Sequence, residues 1–267
     1  MKKWFGLLVC CVSSLLFSHP LQDRGLPEES VTELLDLFGI SKNSNIVEET
    51  QNLWLRRPGQ ERWEMAEIPA EKKPLVLEWA DKAGMLHAVE PVENLYDTAL
   101  ILGATTFTMK ERLLYLKKLW EEGVRFKEVV WLTGDRPLDP RVETLLERCE
   151  NETEAAKVIW EETDLPEEIR SLPCSFISLA MKVGRRPNTK DTIIAWVEKG
   201  NLSSKALFIS SQPFCSYQFA VIKNSLPDTI TFDVVGSEVI SKTHPSGAAI
   251  ILDTVARSLY EQSLGSL

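Results

Sequence analysis

The segment Leu100-Ile101-Leu102-Gly103-Ala104 constrains the fold of this chain more than any other. An apolar run ends in two small residues, and an amphipathic helical pattern begins near Thr108. A buried parallel strand hands over to a crossover helix in this way. The pattern returns at Val129-Val130-Trp131-Leu132-Thr133-Gly134 and at Ala206-Leu207-Phe208-Ile209-Ser210-Ser211. Open α/β sheets bind ligands beyond the carboxyl ends of their strands, so three such ends define one candidate crevice.

The alternation extends from there. Strands are expected at 98–102, 128–132, 175–181, 205–209 and 229–235. Helices are expected at 109–122, 152–162, 189–199, 215–224 and 246–262. Thr108 and Glu111 have capping-box spacing, and Gly123 closes that helix. Strands separated by helical runs imply right-handed parallel crossovers. Residues 94–267 therefore read as a Rossmann-like α/β domain: an open, mainly parallel five-stranded sheet with helices on both faces. Upstream, 31–38 reads as a helix with Ser30 as N-cap, Glu33 in the capping-box position and Gly39 as its stop. A second helical pattern covers 70–86. Residues 19–93 have no obvious core of their own and read as a helical extension packed on the main domain.

With 267 residues and 44% hydrophobic content, the chain can build one large domain or one domain with an appendage. A formal net charge of -9 and the lack of a basic stripe weigh against nucleic acid as a partner. Lys2 and Lys3 precede an almost wholly apolar stretch over 4–17, the pattern of a secretory signal in 1–18 and short of the ~20 residues of a comfortable span. Three outcomes are open: cleavage near Ser18, retention as a membrane anchor through 4–17, or lipidation at Cys10 or Cys11. Each places the protein outside the cytoplasm, periplasmic or anchored facing the envelope. Cys149, Cys174 and Cys215 lack metal-type spacing, and His19, His87 and His244 form no zinc motif. No metal site is expected.

The chemistry then rests on the strand ends. Gly103 and Ala104 let a ligand approach the backbone, or simply make a tight turn; there is no G-x-G-x-x-G fingerprint. Asp135 can hold a ribose hydroxyl or a cation and Arg136 a phosphate or carboxylate, or the pair forms an ordinary turn. Asn188 with Asp191, and Asn151 with Glu154, have N-cap spacing. Cys215 sits at a helix start with no histidine near it in sequence and reads as structural. Asp253 and Arg257, at i,i+4, read as a surface ion pair. The aromatic-basic segment Trp54-Leu55-Arg56-Arg57-Pro58-Gly59-Gln60-Glu61-Arg62-Trp63 is either a recognition surface or tryptophan in the core covered by arginine stems.

Over Tyr96 to Val235 the order of these motifs resembles the SanA/YdcF/ElyC-type envelope proteins, a family of unknown function. The residues are Ala99 to Ala104, Arg112, Leu132-Thr133-Gly134, Thr153-Glu154-Ala155, Asn188-Thr189 with Asp191-Thr192, and Ser210-Ser211. The resemblance implies a Rossmann-like sheet, a link to bacterial envelope biogenesis, and a nucleotide-like ligand such as S-adenosylmethionine. It makes Gly103, Arg112, Gly134, Glu154, Asn188, Thr189, Ser210 and Ser211 site candidates. The family commonly carries a histidine and then an arginine after the serines. Here those places hold Phe214 or Cys215, and Tyr217 or Gln218, and Gln218 offers only amide hydrogen bonds. The reading is thus an exported α/β protein that takes a small anionic or nucleotide-like ligand. Transfer or hydrolysis there would use Glu154 or Asp135 as the acid–base group and Arg112 or Arg136 as the anion clamp. The alternative is a non-catalytic envelope scaffold with a decayed crevice.

Overall fold

The computed structural model describes residues 26, 28–57, 59–65, 68–182, 185–200, 204–239 and 247–265. The expected leader over 1–18 with Cys10 and Cys11, the charge-bearing Lys2 and Lys3, His19 and His244 lie outside them.

Five strands form one all-parallel sheet in the order β3-β2-β1-β4-β5: β1 (Thr98–Leu102), β2 (Glu128–Gly134), β3 (Cys174–Leu179), β4 (Lys205–Ser211) and β5 (Thr231–Ser237). Helices fill the connections: α4 (Thr106–Glu121), α5 (Glu152–Glu162), the short α6 (Glu167–Arg170), α7 (Thr189–Glu198), α8 (Cys215–Lys223) and α9 (Gly247–Leu264). Ahead of the sheet lie α1 (Glu28–Phe38), α2 (Ile46–Trp54), a 3-10 turn (Arg62–Glu64) and α3 (Lys73–Lys82). This is the open Rossmann-like architecture expected. The chain walks outward from β1 to β3 and returns beside β1 with β4, so the order reverses between β1 and β4. A crevice opens at the carboxyl ends at such a switch point.

Strand alternation builds two cores at once. Ala99, Ile101, Val129 and Trp131 face Met109, Leu113 and Leu116 of α4 and Ala155, Ala156 and Ile159 of α5. Leu100, Leu102, Val130 and Leu132 face Ile193 and Trp196 of α7 and Val221 and Ile222 of α8. A third cluster joins Leu34 and Leu35 of α1 and Val76 and Trp79 of α3 to Ile251, Leu252 and Val255 of α9. The segment after α3 also guards the edge of β5: Val89 and Gly236 exchange backbone hydrogen bonds at 2.9 and 3.2 Å. An unpaired edge strand invites pairing with another chain. Leu34 is completely buried, and Leu34→Ala should cost about 2–5 kcal/mol. Its urea unfolding should stay a single transition, because α1 shares its core with α9; two resolved transitions would show that the extension folds apart from the sheet.

Several expected boundaries shift for local reasons. β2 continues through Thr133 and Gly134 because both pair with β3, and β4 continues through Ser211 because it pairs with β5. α1 starts before Ser30, which is therefore helical and not its N-cap; the Ser30 carbonyl instead accepts the Trp79 indole N–H at 2.5 Å. α4 starts at Thr106, so no capping box forms from Thr108 and Glu111. Its first amide is held by a distant carboxylate, Glu143, at 3.0 Å. The helix expected over 70–86 contracts to α3, bounded by Pro74 in its first turn and by Gly84 at φ 73°.

Candidate functional site

Segments far apart in sequence meet at the carboxyl ends of β1 and β2 and enclose a cleft of about 770 Å³. That volume suits an organic ligand, since such pockets span roughly 300–1,000 Å³. The floor is Leu102, Gly103, Leu132 and Gly134, with Arg112 rising from α4. One wall carries Arg136 and Glu152. A second is the loop from Arg185 to Thr189. The third combines residues from Arg56 to Arg62 with Phe214, Tyr217 and Gln218 at the start of α8 and Arg257 of α9.

Of the residues singled out in the sequence, Gly103, Ala104, Arg112, Gly134, Arg136, Asn188, Thr189 and Gln218 line this cleft. Ser210 and Ser211 do not: both are buried within β4, and the Ser211 hydroxyl accepts from Arg112 at 3.3 Å. Asp135 also lies outside it, occupied by the hydroxyls of Ser178 and Thr153. Glu154 lies outside the cleft as well. Its carboxylate accepts the Glu150 amide at 2.7 Å and closes the α5 cap away from the cleft.

Two carboxylates line the cleft, Glu61 on the wall of the Arg56–Arg62 segment and Glu152 at the strand ends. The apolar stripe of α5 runs through Ala155, Ala156 and Ile159, and a helix places position 152 on that same face three, four and seven residues earlier. The spacing was legible; the resemblance drew attention to Glu154. Glu152 Oε1 accepts the Gly134 amide at 3.3 Å, and its Oε2 binds Arg136 Nε at 2.6 Å. Arg136 also forks onto Glu143 at 2.7 and 2.9 Å and donates to the Ala104 carbonyl at 2.7 Å. Burial opposes the charge on all three groups. Arg136 is nonetheless held above its ordinary pKa by its two carboxylates. Glu143, with the bidentate share and two backbone amides, is held low. For Glu152 burial outweighs what remains of Arg136, and its pKa is raised. Gly103, on the cleft floor, also makes room for Glu152. A Cβ there would run into the Glu152 carboxylate and lie 2.8 Å from the Leu132 carbonyl. The missing side chain admits the Glu152 carboxylate.

The segment from Trp54 to Trp63 divides between its two readings. Trp54 is buried edge-on against Phe38, with ring centroids 5.3 Å apart. Arg56, Arg57 and Arg62 turn the other way and line the cleft. The Arg62 guanidinium lies 4.1 Å from the centre of the Phe214 ring, a cation–π contact. Asp253, expected at the surface, is fully buried, clamped by Arg257 at 2.9 and 3.0 Å and by the Arg56 amide at 3.2 Å. Burial would raise its pKa, but Arg257 and Arg62 hold it down.

Three buried polar atoms at this cleft have no hydrogen-bond partner: Arg62 Nε, Arg112 Nε and Gln218 Oε1. Among the described residues no carboxylate lies within ion-pair distance of Arg62 or Arg112. Arg112 donates instead to the Leu102 and Gly103 carbonyls at 2.6 and 3.0 Å. Burial lowers both guanidinium pKa values to about 10; Arg56 and Arg257 add to the effect on Arg62, and Arg62 adds to it on Arg112. Both stay protonated at neutral pH, so their mutual repulsion is a standing cost. Cys215 fits its structural reading: it is buried against Gly236, and burial pushes its thiol up to about 12. The three described cysteines are free, and among the described residues no His/Cys/Asp/Glu group could hold a metal. No described helix is long and apolar enough to cross a membrane.

Fold and site together define an open α/β protein with an arginine-lined cleft at the carboxyl ends of its strands. No protein-family model matches the chain, and neither do curated proteins or solved structures.

Proposed function

We propose that this chain binds a small phosphorylated ligand in the cleft beyond β1 and β2. The observation that carries the reading is the pair Arg62 and Arg112: two desolvated guanidiniums with orphaned Nε atoms and no carboxylate of their own. An anion between them relieves the repulsion and fills vacant donors, and the guanidinium fork matches phosphate geometry. Gln218 Oε1 needs a donor that an ionised phosphate lacks, so the organic part of the ligand carries a hydroxyl or N–H. The same electrostatics disfavour S-adenosylmethionine, whose sulfonium would enter an already cationic site. Glu152, buried with a raised pKa, replaces Glu154 and Asp135 as the acid–base group for transfer or hydrolysis at this ligand. Against a scaffold with a decayed crevice, the cleft is lined by guanidiniums and not filled by aliphatic side chains. Export to the envelope and kinship with the SanA/YdcF/ElyC-type proteins are part of the proposal; the apolar stretch over 4–17 and the order of motifs support them.

Thermal denaturation with inorganic phosphate, pyrophosphate, nucleotides and S-adenosylmethionine tests the reading. A ligand at a hundred times its Kd should add about 2.7 kcal/mol of stability. Phosphorylated probes should raise Tm in the full chain and S-adenosylmethionine should not. A flat Tm with every phosphorylated probe would remove the assignment. Arg112 is a poor residue for this test, because it ties the β1 carbonyls to α4 and its loss disturbs the fold.

A further inference from the structure

The positive charge of the cleft is concentrated on one side. Beside β2, Arg136 is matched by Glu143 and Glu152. On the loop side, Arg185 is matched by Asp191 and Arg186 by Glu61. On the side of α8 and α9 the balance fails. Arg56, Arg57, Arg62, Arg112 and Arg257 all line the cleft there, and Asp253 is the one described carboxylate engaged mainly with them. Glu61, held by Arg186, comes only to 3.9 Å from Arg56. Guanidinium charge therefore exceeds carboxylate charge on this side. Arg56 and Arg257 repel Arg62, and Arg62 repels Arg112.

A phosphomonoester brings about -1.5 to -2 charges at neutral pH, which leaves such a site undercompensated. A second phosphoryl group linked to the first supplies the missing charge and lengthens the anion. Arg62 and Arg112, reaching the cleft from different segments, can then each hold one end. Resting on the ligand reading above, we infer that the α8–α9 side of the cleft is a diphosphate subsite, with Arg62 of the segment between α2 and α3 and Arg112 of α4 as its two clamps. The N-terminal extension is thereby part of the binding site. A nucleoside or sugar diphosphate is the chemical class that fits: two phosphoryl groups, an organic part for the remaining volume, and a hydroxyl for Gln218.

Calorimetric titration of the full chain with inorganic phosphate and inorganic pyrophosphate tests this directly. Pyrophosphate should bind at least tenfold more tightly than phosphate. Arg62→Gln should bring that ratio close to one while phosphate still binds at Arg112. Arg56→Gln, which removes a neighbour of Arg62 but neither clamp, should reduce the ratio by less. Equal affinities in the unaltered protein would overturn the diphosphate subsite and leave the anion reading standing. An undiminished ratio in folded Arg62→Gln would remove the extension from the site. Binding of neither anion would overturn both the subsite and the ligand reading it rests on.

Discussion

Gly103→Ala should destabilise the protein by about 3 kcal/mol, the upper end of ordinary overpacking costs. The new methyl group would meet two atoms that cannot both retreat. The Leu132 carbonyl, 2.8 Å away, is ladder backbone already accepting from the Gly103 amide. The Glu152 carboxylate is the end of a side chain, yet it is pinned by Gly134 and Arg136. Urea denaturation should show a lower midpoint with an unchanged slope. Adding Glu152→Ala removes one of the two clashes, so the double variant should lose less than the sum of the single changes. A midpoint unaltered by Gly103→Ala would mean that the carboxylate does not occupy the β1 turn.

Arg136→Ala should cost about 3–5 kcal/mol, because it strands two buried carboxylates. Its pH dependence separates this cause from a packing defect. In the unaltered protein Glu143 has a lowered pKa, so its contribution is present above the ordinary glutamate pKa and is lost as pH falls through the lowered value. Without Arg136, both Glu143 and Glu152 become buried acids with raised pKa values. Such groups favour the fold below their unfolded pKa and oppose it as pH rises through the folded one. The variant should therefore recover stability as pH falls through those raised pKa values towards the ordinary glutamate range, and its deficit should shrink on the acid side. A deficit constant across that range would show that lost packing, not stranded charge, is responsible.

The elements whose signals are local were the most legible. β1 occupies 98–102 and α5 occupies 152–162 as the patterns require, and Asn188 caps α7 through the amide of Asp191 at 3.0 Å. Apolar periodicity and capping act over one or two turns, so a single stretch of sequence contains them. The positions of β2 and β4 were also clear, but their ends were not: Thr133, Gly134, Ser210 and Ser211 are strand only because a neighbouring strand pairs with them.

The site was partly legible. Gly103, Gly134 and Asn188 converge as strand ends and a following helix start should, whereas Ser210 is sealed inside the sheet. Its charge could not be read from the chain. Arg62 resembles any surface arginine until the segment after α2 is laid over α8. Asp253 resembles half of an exposed i,i+4 pair until α9 is covered by that same segment.

By itself the sequence determined the alternating elements, the parallel sheet and the end of it at which a cleft opens, because hydrophobic period and turn chemistry are properties of neighbouring residues. The tertiary structure alone decided which acids face that cleft and which arginines go unmatched. Burial and ion pairing depend on what another part of the chain brings within a few ångströms, and no local pattern encodes that distance.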